Sequence, residues 1–195
     1  MSEFFKHPNA IVESDQIGPG TRIWAFSHVL KGARLGRDCN VGEHCYIENH
    51  VSIGDEVVIK NGVEVWDGVE LGNRVFVGPN AVFTNDLLPR SKLSRERIRT
   101  LVREGASIGA NATVVCGIEI GRYALIGAGA VVTRNVPDFA ICFGNPARLR
   151  GYICKCGGKL MLNADLSAVC RCGATFQRSN SRLSLIELSA PATQS

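Results

Sequence analysis

The sequence predicts an all-β chain wound as a parallel β-helix, and three observations carry that expectation. An aliphatic residue recurs every six positions, at Ile11, Ile17, Ile23, Val29, Leu35, Val41, Ile47, Ile53, Ile59, Val65, Leu71 and Val77, and Phe83 closes the series. Four residues after most of these stands a small or β-branched side chain: Thr21, Ser27, Ala33, Cys39, Cys45, Val51, Val57, Val63, Val69, Val75 and Ala81. Each lies two positions before the next aliphatic residue, so both point to the same side of a strand. The pattern then resumes at Val102 and runs through Ile108, Val114, Ile120, Ile126 and Val132. Hexapeptide units such as IGDEVV, LGNRVF and IGRYAL are the internal repeats of a parallel β-helix.

Three hexapeptides close one triangular coil, and successive coils stack at the strand spacing of about 4.8 Å. The two runs together amount to about six coils. Residues 1–150 form the β-helix domain, residues 151–178 a small Cys-rich knuckle, and residues 179–195 a polar tail without periodicity, expected to be flexible. The formal net charge of +4 includes no run of Lys and Arg, which argues against a nucleic-acid partner. No apolar stretch is long enough to span a bilayer and no charged-then-apolar leader precedes Phe4, so a cytoplasmic location without membrane contact is expected. The cysteines then read as thiols or metal ligands, with Cys39 and Cys45 filling the inward small-residue position.

The repeat is interrupted once, by an insert at about residues 89–101 that carries Arg90, Lys92, Arg95, Glu96, Arg97 and Arg99. A coil that loops out costs entropy and exposes backbone, so such an excursion usually serves an interface or a site, the alternative being a solvated surface loop. Residues eighteen apart share a column, which aligns Asn49, Asp67 and Asn85, with His50, Gly68 and Asp86 beside them. This column supplies candidate catalytic residues Asn85 and Asp86 and candidate substrate-binding residues Asn49 and Asp67. Lys60 and Asn61, and Arg90 and Lys92 of the insert, complete the substrate-binding set. A hydrogen-bonded Asn/Asp ladder that only satisfies turns is the competing reading.

A second column is nearly bare of side chains. With the insert removed, Gly78, Gly109 and Gly127 stack, followed by Pro79, Ala110 and Ala128. A long, thin ligand such as the pantetheine arm of coenzyme A would lie flat on that backbone, but small residues also simply fit tight corners, and both readings stay open.

GPNAVFTND followed by PRSK, then IGANATVVCGIEIGRYALIGAGAVVT and VPDFAICFGNPAR, together resemble the N-acetyltransferases of nucleotide-linked 3-amino sugars. The resemblance runs from about His7 to Gly151. It implies a left-handed β-helix, acetyl-coenzyme A as cosubstrate, and a homotrimer with active sites between subunits. It further implies that FTND and PRSK face the sugar, whereas the GANA and GAGA turns (Gly109, Ala110, Gly127, Ala128) and GNPAR (Asn145, Pro146, Arg148), with Arg134, hold the coenzyme. The implied substrate is a dTDP-linked 3-amino-3,6-dideoxyhexose for surface glycan synthesis, with a UDP-linked 2-acetamido-3-amino uronate as competitor.

Many hexapeptide acyltransferases use a histidine base, yet the histidines here are His7, His28, His44 and His50, none in or after the insert. His50 lies two coils from Asp86, about 10 Å, too far for one proton transfer. An amino sugar is partly neutral near pH 7, so orientation by Asn85 or Asp86 suffices, with a backbone N–H stabilising the oxyanion and the departing thiolate taking the proton. Cys116 falls in the column of Asn85 and has no assigned role. In the C-terminal piece, CKCGGKL and CRCGATF pair Cys154 with Cys156 and Cys170 with Cys172. Four thiolates suit a structural zinc site, although one residue between ligands is shorter than the usual two. Two other classes remain: a γ-type carbonic anhydrase, whose His-x4-His spacing is missing, and a non-catalytic structural β-helix, which needs neither charged insert nor glycine column.

Overall fold

The computed structural model of the chain describes residues 3–93, 97–179 and 182–187. Insert residues Ser94, Arg95 and Glu96 and tail residues 188–195 lie outside the described residues. Among those described there is no helix, and short strands build the three faces of a parallel β-helix.

The first face stacks Phe5–Lys6, Arg22–Ile23, Asn40–Val41, Val58–Ile59, Phe76–Val77, Ser107–Ile108, Leu125–Ile126 and Ala140–Phe143. The second stacks Ile11–Val12, His28–Val29, Tyr46–Ile47, Glu64–Val65, Val82–Phe83, Thr113–Val114 and Val131–Val132. The third runs from Arg34–Leu35 through Ser52–Ile53, Val69–Leu71 and Thr100–Val102 to Glu119–Ile120, and bridges at Ile17 and Val136 extend it. The first face carries eight parallel rungs, more than the six expected. The terminal rungs escape a strict six-residue count because Ile126 pairs with Cys142, sixteen positions on.

In most two-residue strands the second residue points inward. Ile23, Val29, Val41, Ile47, Ile59, Val65, Val77, Ile108, Val114, Ile120 and Ile126 are all fully buried, and Phe83 is 1% exposed. Buried hydroxyls and thiols among them bridge coils. Ser27 donates to the Gly42 carbonyl (2.6 Å) and accepts from Cys45 N–H (3.0 Å), and the Cys45 thiol donates to the Lys60 carbonyl (3.2 Å). Cys39 makes the same link to the Gly54 carbonyl, and burial pushes both thiols up from their ordinary value. Both cysteines are therefore core, as their inward position predicts.

Most corners turn through one left-handed residue, and these also recur every six positions: Asp38, His44, His50, Glu56, then Arg74 and Asn80, later Asn111 and Tyr123, with φ near +55°. Asn, Asp and His tolerate this region best among side-chain-bearing residues. His44 and His50 are thus turn residues. His44 also stacks on Phe26, ring centroids 4.9 Å apart.

The looped-out segment connects Val82–Phe83 to Thr100–Val102, so it ends before the boundary at residue 101 read from the sequence. Thr100 and Leu101 already pair with Val69 and Glu70. After Phe143 the chain reverses into the antiparallel strands Arg148–Ile153 and Lys159–Leu160, followed by an antiparallel sheet of Ser167–Val169, Thr175–Ser179 and Arg182–Glu187. The last strand corrects the expectation of a flexible tail from residue 179. Leu183 is buried and Ser184 exposed, the alternation of a half-buried strand.

Candidate active site

Between the second and third faces, Thr84, Asn85 and Asp86 leave the coil half-buried and the looped segment returns through Arg97, Ile98 and Arg99. The return is fixed by backbone and charge. Ile98 N–H donates to the Asn85 carbonyl (3.1 Å) and Thr100 N–H to the Gly68 carbonyl (2.9 Å). Ile98 sits over Gly68 and Gly117, where added Cβ atoms would lie 3.3 Å from the Ile98 carbonyl oxygen and 3.1 Å from its Cγ2. Arg99 makes a two-pronged bond to Glu70 (2.6 and 2.7 Å), and that guanidinium holds the Glu70 carboxyl below its usual range. Arg97 pairs with Asp67 and lies 3.8 Å from Glu48, whose carboxylate also accepts Asp67 N–H (2.8 Å).

This geometry sorts the candidate residues. Asn49 accepts Gly32 N–H at 2.9 Å and acts as a turn cap, the competing reading of its column. Asp67 anchors the loop through Arg97. Asp86 departs from the column of His50 and Gly68, because Arg99 follows Gly68 in register there. Asp86 instead caps Leu88 N–H through Oδ1 (2.7 Å). The Asn85 carboxamide has no hydrogen-bond partner among the described residues, so its bonding capacity is available to a ligand. Cys116 N–H donates to Thr84 Oγ1 (2.9 Å), which places Cys116, buried, directly over this corner. Arg90 and Lys92 are exposed on the loop, with Arg90 bonded to the neighbouring Pro89 carbonyl.

Lys60 and Asn61 do not join this corner. They turn between the first and second faces, where Asn61 Oδ1 accepts Glu43 N–H (3.2 Å). The bare column, Gly78, Gly109 and Gly127, shares that corner with them. Added Cβ atoms there would meet Ala110 N at 2.6 Å, Ala128 N at 2.5 Å and Phe143 Cβ at 2.7 Å. The coil above therefore already requires glycine at each, so the tight-corner reading accounts for the missing side chains. GNPAR is laid across the next rung, with Val131 N–H bonded to the Gly144 carbonyl (3.0 Å) and Ala147 N–H to the Val131 carbonyl (2.8 Å). Asn145 and Pro146 thus cap the end of the second face, and Arg148 opens the antiparallel strand that pairs with Phe143 on the first. Arg134 follows Val132 as Asn85 follows Phe83, and Val132 pairs with Val114, itself paired with Phe83. It belongs to the Asn85 corner, not to the glycine corner.

Glu48 escaped the sequence reading, and Thr84 entered it only as part of the FTND motif. Glu48 stands one position before Asn49, and an acid flanking a polar column was the available signal. A cavity of about 430 Å³ lies elsewhere, lined by Glu119, Val136, Asp138 and Leu183 among others, and includes none of the candidate residues. Glu119 is engaged by Arg103 (2.8 and 2.9 Å) and Asp138 by Arg122 N–H (2.7 Å).

The four C-terminal cysteines do converge. Their sulfur atoms all lie within 4.8 Å of one another, Cys154 to Cys172 at 3.6 Å and Cys156 to Cys170 at 3.5 Å. Burial pushes the Cys154 thiol up to about 12, whereas the Gly158 N–H draws Cys156 down to about 7.

A six-residue ladder closed into three faces, with one charged loop at a corner, defines a hexapeptide-repeat protein. The family described as "Bacterial transferase hexapeptide (six repeats)" matches residues 16–49, 50–85 and 99–134, and the chain belongs to it. A relative, the dTDP-3-amino-3,6-dideoxy-alpha-D-galactopyranose 3-N-acetyltransferase of Aneurinibacillus thermoaerophilus, is 55% identical over 174 residues, 89% of this chain and 90% of that protein. A galactoside O-acetyltransferase of Lactococcus lactis is 33% identical over 87 residues, 42% of each chain. LpxA from Acinetobacter baumannii shares the fold, with a TM-score of 0.51 at 17% identity over 76% of this chain and 72% of that one.

Proposed function

We propose that the chain transfers acetyl from acetyl-coenzyme A to the 3-amino group of dTDP-3-amino-3,6-dideoxygalactose. The observation that carries this is the 55% identity to the Aneurinibacillus enzyme, sustained over nearly the whole of both chains. The Asn85 corner supplies a carboxamide with free bonding capacity beside a carboxylate, Asp86, that can hold an amine. In the reaction the neutral amine attacks the thioester carbonyl. The C–N bond forms, the C–S bond breaks, and the thiolate leaves with the amine's proton, giving the amide and free coenzyme A. Asn85 and Asp86 orient the amine, and no histidine is required.

Assembly completes the site in this reading. The Asn85 corner and the GNPAR corner lie on opposite edges of the second face. In a homotrimer, one copy's loop corner meets its neighbour's glycine corner, and the coenzyme lies in the cleft between them. Leu87, Leu88 and Leu93, 54%, 62% and 60% exposed on the loop, support packing against a second copy. In this reading the trimer is cytoplasmic and its product feeds surface-glycan assembly.

Comparing kcat/KM for acetyl transfer to the dTDP-linked 3-amino sugar and to a UDP-linked 2-acetamido-3-amino uronate tests the reading. Preference for the dTDP sugar is expected. Turnover of the UDP sugar alone overturns it.

A further inference from the structure

The C-terminal module has its own small core: Tyr152, Cys154, Leu160, Ala168, Cys170, Ala174, Phe176 and Leu183 cluster with Phe139 and apart from the solenoid interior. Two of these few buried side chains are themselves cysteines. A module of this size rarely stands on apolar burial alone and is usually stapled by metal or disulfides. Its seat on the β-helix is aromatic. Phe139 stacks on Tyr123 of the solenoid (5.6 Å) and meets Phe176 of the module edge-on (5.2 Å).

The staple is visible in the backbone. Two knuckles repeat one conformation: Cys154 N–H donates to the Gly158 carbonyl and Gly157 N–H to the Cys154 carbonyl, while Cys170 N–H donates to the Ala174 carbonyl and Gly173 N–H to the Cys170 carbonyl, all at 2.8–2.9 Å. An added Cβ on Gly158 would stand 2.9 Å from the Cys170 sulfur, so the cradle admits only glycine there. A zinc–sulfur distance of 2.3 Å in a tetrahedron requires sulfur–sulfur edges of about 3.8 Å. The cross-knuckle pairs stand at 3.6 and 3.5 Å. Lys155 and Arg171, the residues between each cysteine pair, place two cations beside what would be a dianionic centre.

We propose that Cys154, Cys156, Cys170 and Cys172 hold one zinc ion, which ties the two knuckles together and keeps the module seated through Phe176 on Phe139. Zinc binding displaces the four thiol protons and leaves a tetrathiolate. The one-residue spacing is accommodated because the close sulfur pairs form across the knuckles. This site is independent of the acyl-transfer reading, and its test needs no turnover.

The full chain, purified under reducing conditions, is assayed for metal by mass spectrometry and then exchanged with cobalt. About one zinc per chain and a tetrahedral thiolate–cobalt absorption band are expected. Cys172→Ser, at an exposed ligand, should abolish the band. Gly158→Ala, which keeps all four ligands, should weaken zinc affinity roughly 10 to 100-fold. Metal-free protein that takes up neither zinc nor cobalt while its thiols react freely would overturn the proposal. An unchanged cobalt spectrum in Cys172→Ser would do so too.

Discussion

Replacing Asn85 by alanine isolates the group on which the active-site assignment rests. The Asn85 backbone carbonyl, which receives Ile98 N–H, survives the substitution, and the anchors Arg97 to Asp67 and Arg99 to Glu70 do not involve its side chain. The carboxamide itself has no protein partner to lose among the described residues, so folding stability should change by less than about 0.5 kcal/mol, as for substitutions away from packed or bonded features. What disappears is a polar contact to the reacting amine or the developing oxyanion. Loss of one such group typically costs 10 to 1,000-fold in rate, about 1.4 to 4 kcal/mol. Release of coenzyme A, followed with a thiol reagent at saturating acetyl-coenzyme A, measures it, and His50→Ala serves as the comparison. His50 occupies a left-handed turn position with φ of +59° and should change turnover little. If His50→Ala abolishes activity while Asn85→Ala leaves it unchanged, the active site has been placed at the wrong corner.

Light scattering should report a trimer, and an active monomer would contradict a site shared between copies. Mixing inactive Asn85→Ala with an inactive Arg148→Ala variant before subunit exchange should restore part of the activity, because some clefts then pair two intact corners. Phe83→Ala, at a side chain 1% exposed just before the loop, should cost about 3 to 5 kcal/mol by denaturant unfolding. Glu70 is held below its ordinary value by Arg99, so its support of the returning strand is complete above about pH 4.5 and fades as pH falls through the lower folded value. Hydrogen exchange at Thr100–Val102 should rise across that acid range, and Glu70→Gln should flatten the dependence.

The solenoid was legible because its inward positions obey one period, and the rungs at both ends fall outside it: Ile126 pairs sixteen residues on with Cys142, and Ile11, read as inward, is exposed and pairs seventeen residues on with His28. The end of the insert, placed too late at residue 101, carried a signal in the sequence: Thr100, fully buried two positions before Val102, fits the small inward slot that marks a strand. The same phase assigns Arg134 to the Asn85 corner, since Val132 and Phe83 occupy equivalent positions. Other features do not follow from counting. Whether Asn49 faces a ligand or caps Gly32 depends on which atoms the next coil brings within bonding distance. Glu48 acquires its role only when Arg97 returns beside it, a contact set by the loop's path and not by the repeat. The glycine column was readable as small, but its cause is a packing fact: backbone of the coil above lies 2.5–2.6 Å from the absent Cβ of Gly78 and Gly109, and the Phe143 Cβ 2.7 Å from that of Gly127.

The most direct test of the account incubates the purified chain with acetyl-coenzyme A and dTDP-3-amino-3,6-dideoxygalactose and determines the product by mass spectrometry and NMR. The account predicts a single acetyl group in amide linkage at the 3-amino nitrogen, with one free coenzyme A released per product. Acetylation at a hydroxyl, or no transfer to this sugar while another acceptor is consumed, would contradict it.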